Sequence, residues 1–104
     1  MQECEVKKES GALVLRITCE IDHHTAKRIR EIIDPEILAQ GAGRVVLDFS
    51  SVSFMDSSGI GLIIGRAAKA ESVGSSVEVR GLSPRLGKIV RMSGIERIPN
   101  VNIN

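Results

Sequence analysis

Phe54-Met55-Asp56-Ser57-Ser58-Gly59-Ile60-Gly61 joins an apolar run at residues 44–49 to a segment in which Ile60, Ile63, Ile64, Ala67 and Ala68 recur at near-helical spacing. A buried strand that leads into a helix is the repeating unit of parallel sheets, so this junction decides the fold class. It also places Ser57 and Ser58 at a helix N-terminus. There, unpaired N–H groups and the positive end of the helix dipole favour an acceptor oxygen or an anion. The position suits a cap, a bound phosphate or a phosphorylated side chain.

Before the junction, residues 2–8 and 12–19 alternate apolar and polar and flank Glu9-Ser10-Gly11, which predicts a hairpin with Leu13, Leu15 and Ile17 on one face. Asp22 then precedes Ile29, Ile32, Ile33, Ile37 and Leu38 on roughly one stripe, so a first helix starts near His23 with Asp22 as its N-cap. Pro35 has no N–H to donate and clashes with the preceding turn, which predicts a kink or break around Asp34. Gln40-Gly41-Ala42-Gly43 closes that helix, and residues 44–49 read as a central strand covered on at least one face. Beyond the junction a second helix spans residues 58–72 and ends before Gly74, and residues 77–80 form a short strand. Ser83-Pro84 opens a third helix through Met92 with Gly94 as its stop, and residues 95–101 supply a last short strand. The order β-β-α-β-α-β-α-β predicts one α/β domain over residues 1–104, a mixed sheet with parallel crossovers and helices packed against it.

Composition removes several classes of function. Fourteen basic against 13 acidic residues leave a formal charge of +1, too little to draw the chain onto nucleic acid or an anionic membrane. Phe49 and Phe54 are the only aromatic residues, so the stacking platforms of single-strand binders are missing. Cys4 and Cys19 lack the paired spacing of a zinc site and are too few for a disulfide framework, which makes both reduced core residues. No apolar run approaches the roughly 18 residues of a membrane span, and the N-terminus carries no basic-then-apolar signal, so a cytoplasmic protein is expected.

Three stretches, taken in order, resemble motifs of the anti-sigma factor antagonist family, which has the STAS domain fold. They are Glu20-Ile21-Asp22-His23-His24-Thr25-Ala26, then Phe54-Met55-Asp56-Ser57-Ser58-Gly59-Ile60-Gly61, then Arg91-Met92-Ser93-Gly94-Ile95. The resemblance covers nearly the whole chain. It implies a phosphorylation-controlled partner switch rather than an enzyme. In that scheme the unphosphorylated antagonist binds an anti-sigma factor that is also a serine kinase and frees the sigma factor. The kinase phosphorylates the antagonist, and a PP2C-type serine phosphatase resets it. In the Asp-Ser-Ser-Gly motif the acceptor is the first serine, Ser57, with Ser58 its neighbour. By the same resemblance Asp22 lies on the surface that meets the kinase, and the Asp-His-His-Thr loop points to the sporulation branch. Relatives commonly append a terminal helix that residues 98–104 stop short of, which bears on the support of the last strand.

Each of these residues also has a plainer reading. Asp56 is either the cap of the second helix or part of the partner surface, and Asp22 is at least an N-cap. Ile60 and Leu62 stand off one another on the second helix, so either the helix is buried on two sides or one of them is exposed as an anchor for the kinase, and the latter is expected here. Gly59, Gly61 and Gly65 imitate a dinucleotide fingerprint but carry one residue too many before the third glycine, so close backbone packing, either against the sheet or against a partner, explains them better. Adjacent His23 and His24 point about 100° apart on a helix and make a poor chelating pair, so no metal, cofactor or catalytic residue is expected. The alternative to the switch is a STAS interaction or scaffold subunit of a transport or signalling complex whose serine is never modified.

Overall fold

The computed structural model describes residues 3–41 and 43–104. Two antiparallel strands, β1 (Cys4–Glu9) and β2 (Ala12–Ile17), are joined by a turn in which Ser10 and Gly11 take φ of 48° and 78°. That is the mirror-image turn whose twist matches two right-twisted strands. There follow α1 (His23–Gln40), β3 (Gly43–Asp48), α2 (Ser57–Glu71), β4 (Ser75–Arg80), α3 (Pro84–Met92), a 3-10 turn (Ile95–Arg97) and β5 (Val101–Ile103). The strands lie in the order β1-β2-β3-β4-β5, antiparallel between β1 and β2 and parallel thereafter. This is the mixed sheet with parallel crossovers that the element order predicts. Of the predicted hairpin and helix closure, Gln2 and Ala42 lie outside the described residues.

The sheet has one dry face. Leu13, Leu15 and Ile17 of β2, Val45 and Leu47 of β3, and Val77 and Val79 of β4 pack with Ile29, Ile33 and Ile37 of α1, Ile63 and Ala67 of α2, and Leu86 and Val90 of α3 in a single cluster. On the opposite face Ala12, Val14 and Val46 form a small separate cluster. By strand alternation this face also carries the charged residues of the sheet other than Lys8, among them the pairs Lys7–Glu9 at 3.0 Å, Arg44–Glu78 at 3.5 Å and Arg16–Glu5 at 3.8 Å. Their aliphatic stems cover the apolar centre while the charged ends stay wet.

Two local expectations are corrected. Of the kink or break expected around Asp34, the break does not occur, and α1 runs through Pro35 to Gln40. Glu31, whose carbonyl Pro35 cannot serve, and Pro35 itself are both exposed, so water takes over that carbonyl. On the other side, buried Ile33 and Ile37 hold both halves of the helix to the sheet. The final strand is not at residues 95–101. Gly94, at φ 80°, ends α3 and starts the 3-10 turn, and the chain pairs with β4 only from Val101. The Asn100 side-chain amide donates to the Ala67 carbonyl at 2.9 Å, which fixes where β5 begins.

Candidate functional site

Two loops that lie far apart in sequence are laced together. The Ile21 N–H donates to the Phe54 carbonyl at 3.0 Å and the Asp56 N–H donates to the Ile21 carbonyl at 3.1 Å, a single parallel bridge between Ile21 and Met55. The bridge sets the starts of α1 and α2 side by side, each capped by an aspartate. At α1 the Asp22 carboxylate accepts from the Thr25 N–H at 2.8 Å, and the Thr25 hydroxyl accepts from the Asp22 N–H at 2.9 Å, a reciprocal capping box. The Thr25 N–H, above all, holds the exposed Asp22 carboxyl below its ordinary range. At α2 the Asp56 carboxylate accepts from the Ser58 N–H at 2.8 Å. The cap of α2 is therefore Asp56.

That assignment frees the serines. Ser57 is the first residue of α2 and is exposed, and among the described residues its hydroxyl has no partner. Ser58 is half-buried and turns toward α1. Gly59 is buried because a Cβ there would stand 2.5 Å from the Met55 Sδ and 3.2 Å from the Met55 Cβ, so its packing is against the protein's own loop. A Cβ at Gly61 or Gly65 would meet nothing within 4 Å.

The expected anchor is corrected. Leu62 is 3 % exposed and lies in the core, since α2 is covered by the sheet on one side and by α1 on another. Ile60 is half-buried against the same cluster. The exposed apolar residues near the serine are Phe54 and Ile64, both 47 % exposed, and neither was singled out from sequence. Ser57, Gly61, Ile64 and Ala68 share one exposed stripe of α2 at spacings of four, three and four.

Between α1 and α2 lies a groove of about 250 Å³. Buried Ala26 and Leu62 form its floor, His23, Lys27 and Arg30 one wall, and Ser58 and Gly61 the other. Deeper between the helices, Arg66 of α2 is 4 % exposed and faces Asp34 of α1, with Nε–Oδ1 at 2.6 Å and Nη2–Oδ2 at 3.2 Å. The shorter contact falls outside hydrogen-bond geometry and acts as a charge contact, and the directional bond runs through Nη2. Burial works against the Arg66 charge, Asp34 supports it, and nearby Arg30 opposes it. Among the described residues no three His, Cys, Asp or Glu come together as a metal site, and no helix is long and apolar enough to cross a membrane.

The STAS domain family matches residues 3–103. The chain is 32% identical over 96 residues to the anti-sigma F factor antagonist of Paenibacillus polymyxa, covering 92% of this chain and 82% of that one. Its fold superposes on the anti-sigma factor antagonist SpoIIAA in its unphosphorylated form with a TM-score of 0.71 at 29% identity, over 97% of this chain and 87% of that one. It superposes on the phosphorylated form of the Bacillus cell fate determinant SpoIIAA with a TM-score of 0.67 at 29% identity, over 97% and 90% of the two chains.

Proposed function

The chain belongs to the STAS domain family and, within it, to the anti-sigma factor antagonists, and we propose that it is a partner switch thrown by phosphorylation of Ser57. Unmodified, it binds an anti-sigma factor that is a serine kinase and so frees a sigma factor. Phosphorylated, it lets the kinase go, and a PP2C-type phosphatase restores it. It acts in the cytoplasm, in control of sporulation transcription. The observation that carries this reading is the Ser57 hydroxyl, exposed at the first position of α2 with no capping duty, because Asp56 holds the cap.

The partner surface comprises Asp22, Asp56, Ser57, Ser58, Gly59 and Ile60, with Phe54 and Ile64 as its exposed apolar contacts. Leu62 supports this surface from beneath and does not touch the partner. A phosphoryl group would add about 1.5 to 2 negative charges and three acceptor oxygens at its centre. Packed against Phe54 and Ile64 beside the Asp56 carboxylate, that charge must be desolvated next to a like charge, and the complex comes apart.

The test is incubation with Mg-ATP and the anti-sigma kinase of the same genome, read by intact mass with a Ser57→Ala control and by co-elution of the complex. Gain of one phosphoryl group that the variant lacks, with loss of the complex, is expected. An unmodified chain beside an active kinase would place the protein among constitutive STAS interaction modules instead.

A further inference from the structure

The charges of α1 are segregated along its length, basic residues before acidic ones. Lys27, Arg28 and Arg30 precede Glu31, Asp34 and Glu36 along it, and with no acidic residue in its first turn and no basic residue in its last, neither end carries the charge that the helix dipole favours. Arg28 is accounted for by Glu3, at 3.2 Å. Lys27 and Arg30 have no ion pair among the described residues, and with His23 they stand at spacings of four and three along one wall of the groove. No carboxylate lines that groove. Asp34, deeper between the two helices, is already engaged by the buried Arg66, whose charge Arg30 opposes. A surplus of positive charge therefore faces an apolar floor, where water screens it less than on an open surface.

We propose that the groove between α1 and α2 is a phosphoryl-binding site in which Lys27 and Arg30, with His23, hold the oxygens of a phosphate monoester against the Ser58–Gly61 wall. Arginine offers a planar fork to such oxygens and lysine a compact charge. At about 250 Å³ the groove is smaller than the roughly 300–1,000 Å³ of pockets for drug-sized ligands, and no Phe, Tyr or Trp lines it to stack a base. A phosphoryl group fits this description better than a whole nucleotide. Two sources share that chemistry. One is a phosphoryl group on Ser57, which adjoins the lining residue Ser58 and stands one turn before Gly61 on α2, and the other is phosphate from solution. The first source rests on Ser57 being the acceptor, and it gives the modified form a resting place for its new charge away from Asp56.

Phosphoserine placed at position 57 during translation separates this question from whether any kinase recognises the chain. In the full chain, ³¹P NMR should find its second pKa about one unit below the usual value of about 6. The Lys27→Gln/Arg30→Gln variant should return it to the usual value. His23, the cap carboxylates Asp22 and Asp56, and Glu31 and Asp34 of α1 also lie in this neighbourhood, and the variant keeps all five, so the difference belongs to Lys27 and Arg30. In the unmodified chain, inorganic phosphate should shift the Ser58 and Gly61 amides saturably, and the double variant should weaken that binding at least about tenfold. If phosphoserine 57 abolishes phosphate binding and shows the lowered pKa, the occupant is the chain's own phosphoryl group. If phosphate binds while phosphoserine 57 titrates normally, the groove fills from solution. Normal titration together with no saturable shift, in a chain whose spectrum is otherwise folded, overturns the proposal. Both substituted side chains are exposed, so the variant is expected to fold.

Discussion

At the scale of single residues, the division of labour between Asp56 and Ser57 is what makes a switch possible. A serine whose hydroxyl caps a helix would have to release that bond, about 1 kcal/mol, before its oxygen could be presented for modification. Here Asp56 accepts the Ser58 N–H and Ser57 is left exposed. Either assignment was compatible with the sequence, because aspartate and serine are comparable caps and the choice turns on backbone angles at one position. Gly59 shows how tightly the turn is held. An alanine there would press on Met55, itself 4 % exposed, at 2.5 Å from its sulfur. We expect Gly59→Ala to destabilise the protein by about 1–2 kcal/mol and to slow modification of Ser57. Gly65→Ala, with open space at its Cβ, should stabilise it by about 0.5–1 kcal/mol through helix propensity. Urea unfolding of both variants checks the contrast, and a stabilised Gly59→Ala would show that Met55 yields freely.

Among the elements, the pair α1 and α2 carries the site, and its hidden joint is Asp34 with Arg66. Removing one partner strands the other's charge, whereas replacing both with apolar groups of similar size need not cost anything. Asp34→Ala is therefore expected to cost about 3 kcal/mol, and Asp34→Leu/Arg66→Met to recover most of that loss in thermal or denaturant unfolding. Equal losses in the two variants would mean that the joint matters only for packing. Sequence reading located both helices and the Asp22 cap, since caps, glycine stops and hydrophobic spacing act within a turn or two of the chain. The break it allowed for at Pro35 does not occur, because whether a helix survives a proline depends on whether the orphaned carbonyl meets water, and that is a matter of which side faces out. It misjudged Leu62 for the same kind of reason. A stripe in sequence shows one covered face, and the second cover, α1, arrives from some thirty residues away.

For the molecule as a whole, phosphorylation should change affinity and leave the fold alone. The helix start can accept a phosphoryl group at a gain of about 0.3–1 kcal/mol when exposed, small beside the burial of the α1–α2–sheet core. The phosphorylated chain should keep its amide spectrum except around Ser57 and the α1–α2 groove, with a melting temperature within about 5 °C of the unmodified form. Widespread shift changes would mean that the switch works by remodelling the core. The sheet itself stays open on its charged face, where the Arg44–Glu78 and Lys7–Glu9 pairs shelter Ala12, Val14 and Val46. That arrangement departs from the usual two-sided cover of parallel strands. Sequence alone determined the order of elements, the caps and turns that bound most of them, and the placing of the Asp-Ser-Ser-Gly motif at a helix start, because each rests on interactions among near neighbours along the chain. Only the tertiary structure decided which face of α2 is dry, which carboxylate answers Arg66, and that the cations of α1 border a groove beside Ser58. Those outcomes depend on segments distant in sequence being brought together by the sheet, and no local pattern records the meeting.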